Sequence, residues 1–352
     1  MSIIIPRIKV QPGTHCLFAS LRNMMQSGFG VNLSEAEIYF RCDGMNVEYM
    51  PETRPFWIGC SGDEMLRHFA EDGPVRLRYS FEMNDWHSKQ NLVDELVAEL
   101  ASGKLVMLFA QSHSLTYHFI YRENPSRPHV IFLYGVDTQN DSLFIGDSFL
   151  LDYSGAVHMY QGPASLNNLM EGIYGVAFME ETRVEWSNHF SQEGSLSHDE
   201  RAFISLLQER IRTFLDNRSL ANGESVQGLQ AYYAFFDGLE AAAAMNKESF
   251  TESCKEVYYC LRIGSIMHQW TYLMQIVQEY PKQFSSGADF WIEKLETEHT
   301  QWKKHLLNMY KIGLRGNQES WPSILKHSKQ LLDQQRDLLH LFVDEMTVPA
   351  PT

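Results

Sequence analysis

Beyond residue 197 the apolar positions recur at helical spacing. Phe203, Leu206, Leu207, Ile211, Phe214 and Leu215 share one face, and the period returns through Tyr232, Tyr233, Phe236 and Leu239. The same spacing predicts helices over about 251–280, stopped before Pro281; over 288–312, stopped at Gly313; and over 322–345, opened by Pro322 in a first turn that tolerates proline. Five amphipathic helices with short connections make an all-α bundle. The first half reads differently. Helices are predicted over 16–26, closed by Gly28; after the capping box Ser34-x-x-Glu37; over 63–70; and over 91–101, closed by Gly103. Strands are predicted over 104–110, 130–134, 142–145, 156–160 and 173–178, each β-branched or aromatic-rich and separated by Gly, Asp, Asn or Ser turns. Helices early and hairpins late give an α+β domain. Asn188 to Ser197 is polar and aperiodic and reads as a linker, so the domains are placed at 1–187 and 198–347, with the terminal VPAPT fraying.

Composition agrees with this organisation. The chain has 352 residues, 44% hydrophobic and 12% aromatic, which suits two globular domains and not a disordered or fibrous chain. A net charge of −15 opposes the phosphate neutralisation on which nucleic-acid affinity depends, so no nucleic acid is expected as a partner. The same field favours a cationic ligand. MSIIIPRIKV lacks the features of a signal peptide and no apolar run approaches the length of a membrane span, so a soluble, cytoplasmic protein without a membrane partner is expected. Cys16, Cys42, Cys60, Cys254 and Cys260 form neither a CxxC pair nor a zinc-ligand spacing; no metal site and no disulfide framework are expected. The aromatics of the second half, Trp270, Trp291 and Trp302 among them, read as core.

The segment that bears chemistry is Gln11-Pro-Gly-Thr-His-Cys16 followed by LFASLRNMMQ. Pro12 and Gly13 turn the chain into an amphipathic helix and leave Cys16 in its first turn, where unpaired N–H groups and the helix dipole favour a thiolate. By position alone Cys16 is either a nucleophile or one more small buried residue. A nucleophile needs a base, and the base an orienting group. His129 opens the strand HVIFLYG, Asp137 lies in the turn, and the return strand SLFIG leads into Asp147. In an antiparallel hairpin the start of one strand lies beside the end of the next, which makes His129 and Asp147 neighbours. His113 and His118 are the competing bases. Gln11 is the candidate side-chain donor to an oxyanion, alongside the Cys16 N–H. His15 reads as a loop histidine, and Asp152, Glu180 and Glu181 as solvated charges.

The order of Gln11, Cys16 at a helix start, His129 and Asp147 resembles the papain-like cysteine peptidase fold in its bacterial C39-like form. The HCLFASLRNMM opening, the HVIFLYGVD…LFIGDS hairpin and the helical second half are most similar to the butirosin biosynthesis protein H family. Cys-Leu-Phe here replaces the Cys-Gly-Pro usual after the C39 nucleophile, which argues against a peptidase of that type. The resemblance implies an acyltransferase of secondary metabolism in the antibiotic class. Cys16 would take an acyl group from the phosphopantetheine thioester of an acyl or peptidyl carrier protein and pass it to a small amine-bearing acceptor, forming an amide with His129 as base. No cofactor of its own is implied, because the phosphopantetheine arrives on the carrier. Arg22, Arg67, Arg76 and Arg78 are the candidates for a basic docking patch. Two alternatives stand: a thioesterase or peptidase using the same triad with water, and a non-catalytic binding protein on this fold.

Overall fold

The computed structural model of the chain describes residues 2–82, 88–123, 126–151, 156–182, 198–216 and 225–346. The expected linker at 188–197, the terminal VPAPT and Asp152 lie outside these. In chain order the elements are β1 (Ser2–Ile4), α1 (Cys16–Phe29), α2 (Glu35–Arg41), β2 (Glu48–Tyr49), β3 (Ile58–Gly59), α3 (Gly62–Asp72), β4 (Val75–Ser80), α4 (Lys89–Ala101), β5 (Val106–Gln111), α5 (Phe119–Glu123), β6 (Pro128–Asp137), β7 (Ser142–Leu151), β8 (Val157–Ser165), α6 (Leu166–Gly172) and β9 (Ile173–Thr182). There follow α7 (His198–Asp216), β10 (Val226–Gln227), α8 (Gly228–Gly238), α9 (Lys247–Tyr259), α10 (Ile266–Glu279), α11 (Ala288–Arg315) and α12 (Trp321–Glu345).

Two compact units form, one of residues 1–38 with 66–192 and the other of 39–65 with 193–352. In the first, a seven-stranded sheet runs β4-β9-β5-β6-β7-β8, with β1 added to β6, and every pairing is antiparallel. Leu92, Leu96 and Leu100 of α4 share one core cluster with Val106, Leu108, Ile131, Leu133 and Ile145 of the central strands. All five strands expected from the pattern are present. VRLRYS of β4 adds an edge the pattern does not announce, because arginines occupy its outward positions. The capping box forms as read: the Glu37 N–H donates to Ser34 Oγ at 3.1 Å and the Ser34 N–H to Glu37 Oε2 at 2.8 Å.

The second unit is helical and takes in a segment from the N-terminal half: β2 pairs with both β3 and β10, and Tyr39 packs on Tyr272 at 4.7 Å between ring centroids. Trp270, Trp291, Trp302 and Trp321 are fully buried, as expected of core aromatics. Residues 251–280 do not make one helix. A wide turn at Cys260–Gly264 separates α9 from α10, with Ser265 Oγ donating to the Cys260 carbonyl at 3.2 Å and the His268 ring held to the Ile263 carbonyl at 2.6 Å. Among the described residues no helix is long and apolar enough to cross a membrane, and no group of three or more His, Cys, Asp or Glu is placed to hold a metal.

Two glycines expected to end helices are helical instead. Gly28 lies inside α1 and Gly313 inside α11; the left-handed caps are Gly30 (φ 68°) and Gly316 (φ 63°). Their reasons differ. A Cβ on Gly28 would meet only Leu105, at 3.8 Å, whereas one on Gly313 would fall 2.2 Å from the Cys254 Cβ, so Gly313 permits a close helix approach. Gly28→Ala is therefore expected to stabilise by up to about 1 kcal/mol. Gly313→Ala is expected to destabilise by about 1–3 kcal/mol. Urea titrations of the two variants beside the wild type check both signs.

Candidate active site

His15 is the N-cap of α1, its backbone extended (φ −145°) and its ring Nδ1 accepting the Leu17 N–H at 3.3 Å, with the ring stacked on Phe18. Cys16 is therefore the first helical residue. It is half-buried and thus reachable, and its own N–H is one of the helix-start donors without an intrahelical acceptor. The turn ahead of it is tied down on two sides. The Gly13 N–H donates to the Ser148 carbonyl at 2.9 Å, and buried Asn23 donates to Ser148 Oγ at 2.7 Å and to the Gln11 carbonyl at 3.0 Å. Thr14 gives both its N–H and its hydroxyl to Glu35 Oε2, while Arg22 pairs with Glu35 Oε1 at 2.5 Å and caps the Gln11 and Pro12 carbonyls.

Ser148 follows Asp147, so the same bonds that hold the cysteine turn fix it beside the strand bearing the acid. Asp147 is fully buried. Its Oδ2 receives the hydroxyls of Tyr121 (2.5 Å) and Tyr117 (2.7 Å); its Oδ1 receives the Phe149 N–H (3.2 Å) and lies 3.0 Å from His129 Nε2. The Tyr121 oxygen is also 2.8 Å from His129 Nε2. A phenol has one proton, and here it goes to the carboxylate; its oxygen then accepts from His129, so Nε2 carries a hydrogen. Nδ1 is left for Cys16, whose hydrogen bond and charge act on the ring.

Burial disfavours a charged ring at His129, yet the Asp147 carboxylate and the Cys16 sulfur outweigh it and push the imidazole up to about 10. Burial likewise pushes the Asp147 carboxyl up, but protonated His129 and the three side-chain hydrogen bonds hold it below the usual carboxylate range. The arrangement is an imidazolium fixed by a saturated anion beside an accessible sulfur, suited to attack on an acyl carbon.

Cys16, His129 and Asp147 are brought together; Gln11 is not. Its carboxamide donates to Gln26 Oε1 at 3.1 Å, ten residues and about 15 Å of helix rise from Cys16, because Asn23 and Arg22 hold its backbone in that direction. His113 bonds to Ser126 and His118 accepts the Ile120 N–H, so neither serves the cysteine. Asp137 shapes its own turn through Gln139 and Asn140. The four arginines weighed for docking are each paired: Arg22 with Glu35, Arg67 with Glu71, Arg76 with Glu181, and Arg78 with Glu95, Glu99 and Glu180. In the sequence Tyr117 and Tyr121 are marked only by a Tyr-x-x-x-Tyr spacing just ahead of the histidine strand.

The structure thus sets a cysteine at a helix start beside a histidine and an aspartate on neighbouring antiparallel strands. Residues 15–148 match the family described as butirosin biosynthesis protein H, N-terminal. The match runs from the residue before Cys16 to the residue after Asp147. A solved structure of a Bacillus anthracis protein described as a C39-like peptidase is similar at 11% identity, covering 52% of this chain and 100% of that one with a TM-score of 0.32. No curated protein matches.

Because folding raises the His129 value, the stability contributed by this pairing is complete below about pH 6.5 and is lost as pH climbs toward about 10. For Asp147, whose value is lowered, the contribution is present above about 3.8 and is lost in acid. Imidazole ¹⁵N shifts should therefore show His129 still protonated at pH 8 in the wild type. In Asp147→Asn, where burial remains and the carboxylate is gone, the ring should be neutral by pH 6.5. A neutral wild-type ring at pH 7 would contradict the pairing.

Proposed function

We propose that this protein is a cysteine-dependent N-acyltransferase of antibiotic-type biosynthesis, moving an acyl group from a carrier-protein thioester to a small amine. The observation that carries the reading is the reachable Cys16 sulfur beside an imidazole held by Asp147 and Tyr121, with Tyr117 donating to the same carboxylate. The family's description, a butirosin biosynthesis protein, supports a biosynthetic role over protein turnover.

In the first half-reaction Cys16 Sγ bonds to the thioester carbonyl carbon. The tetrahedral oxyanion meets the Cys16 N–H, the carbon–sulfur bond to the pantetheine breaks, and His129 protonates the departing thiol. In the second half-reaction an amine nitrogen attacks the acyl carbon, His129 takes a proton from it, and the Cys16 thiolate leaves. Thiol exchange is nearly balanced and aminolysis runs downhill, so the site has to supply position, a proton shuttle and an oxyanion donor. Asp147 remains an anion throughout, since all its acceptor directions are filled.

Incubation with acetyl-pantetheine should add one acetyl group to Cys16, read by peptide mass. That acyl-enzyme should decay slowly in buffer and at least about tenfold faster with glucosamine, yielding the N-acetyl product. Equally fast decay to free acetate without the amine would make the protein a hydrolase. Transfer that survives Cys16→Ala would remove the cysteine from the chemistry and leave the binding-protein reading.

A further inference from the structure

The sheet carries a second feature at the level of His129. Ala110 of β5 is paired on one side with His129 and on the other with Ile173 of β9. One residue earlier Phe109 pairs with Gly175, so the register shifts by one and Tyr174 is the extra residue of a β-bulge. Bulges of this kind re-aim a side chain next to active sites. With neighbouring strands about 4.8 Å apart, the bulge stands two strands, about 10 Å, from the imidazole's strand.

The Tyr174 ring rests on an aromatic base. Its centroid is 6.2 Å from that of Phe109 and 6.3 Å from that of Phe81, and Phe81 meets Phe109 edge-on at 4.7 Å. Gly175 makes the seat: a Cβ there would fall 2.5 Å from Phe81 Cδ1. Phe109 is buried, whereas Phe81 and Tyr174 are half-buried and present a surface. Burial first, and then the charge of Cys16, raise the Tyr174 phenol, which puts the ring in the electrostatic field of the nucleophile. No step of the proposed reaction uses these three rings.

We propose that Tyr174, supported by Phe81 and Phe109, is the wall against which the acyl group on Cys16 lies, and that it selects donors with an aromatic or bulky apolar group within a few carbons of the thioester carbonyl. The inference rests on the acyl-transfer reading and deepens it by naming the class of acyl group. Flat apolar groups gain from offset or edge-on packing on such rings, and water is displaced from an otherwise half-exposed aromatic face. The bulge gives the wall its aim, and Gly175 lets Phe81 back it. Tyr174 thus acts on specificity through packing, and its hydroxyl is not required.

The test compares acylation of Cys16 by the N-acetylcysteamine thioesters of phenylacetate and acetate, followed by intact mass. In each case the Cys16 Sγ–acyl bond forms, the thioester carbon–sulfur bond breaks, and N-acetylcysteamine leaves as the thiol with a proton from His129. The wild type is expected to react with the phenylacetyl donor about tenfold or more faster than with the acetyl donor. Tyr174→Phe should keep that ratio, and Tyr174→Ala should bring it to about one. Iodoacetamide alkylation of Cys16, run in parallel, reports whether the nucleophile is intact in each variant. Acylation with no preference in the wild type, or a preference that survives Tyr174→Ala, overturns the wall and leaves acyl transfer standing. Failure of both donors to acylate a Cys16 that still alkylates overturns the wall together with the transfer reading.

Discussion

The bonds that join the cysteine turn to Ser148 are the constraint on which the site depends. A nucleophile on a helix and an acid on a strand of the sheet have no covalent reason to meet. The Gly13 N–H and the Asn23 carboxamide, both spent on Ser148, set the height of α1 against β7. Glu35 and Arg22 hold the same turn from its other side. Asn23 and Ser148 are fully buried, and hydrogen bonds between buried polar groups are costly to break, since a lost partner leaves the other unsatisfied. Helix start, histidine strand and acid strand are thereby held in one geometry before any substrate arrives.

Electrostatics then follows from the packing. A buried aspartate tends toward neutrality, and a buried histidine does too; each is kept charged by the other. Tyr117 and Tyr121 fill the remaining acceptor directions of Asp147, and the stacking of Tyr117 on Tyr160 at 4.7 Å holds that phenol in place. Truncating the Tyr117 hydroxyl acts on the imidazole only through the carboxylate, whereas truncating that of Tyr121 acts on the imidazole directly as well. The tyrosines thus bear on the carboxylate and the imidazole and not on the sulfur itself.

Much of this was legible in the sequence because it rests on local signals. Pro12-Gly13 ahead of an amphipathic run places Cys16 at a helix start, and two apolar runs joined by a short turn put the ends of β6 and β7 side by side, so His129 meets Asp147. What was not legible depends on contacts distant in sequence. The direction of the Gln11 side chain is decided by Asn23 and Arg22, more than ten residues on. The tyrosines that saturate Asp147 come from a turn and from the five-residue helix α5, too short to show a period. Gly28 and Gly313 both looked like helix stops, and only packing separates the one that tolerates a side chain from the one that does not. Segment 39–65 joins the helical unit through strands of two residues, too short for any alternation to show.

The central claim is that Cys16 is a nucleophile activated by His129 and is not one more buried thiol. Burial pushes the thiols of Cys42, Cys60 and Cys254 up and away from reaction. The most direct measurement is peptide-resolved iodoacetamide labelling of the native protein at neutral pH, in the wild type and in His129→Ala. The account predicts that Cys16 labels well ahead of the other four cysteines and at least about tenfold more slowly in the variant. Labelling of Cys16 no faster than the rest, or at a rate indifferent to His129, would contradict it.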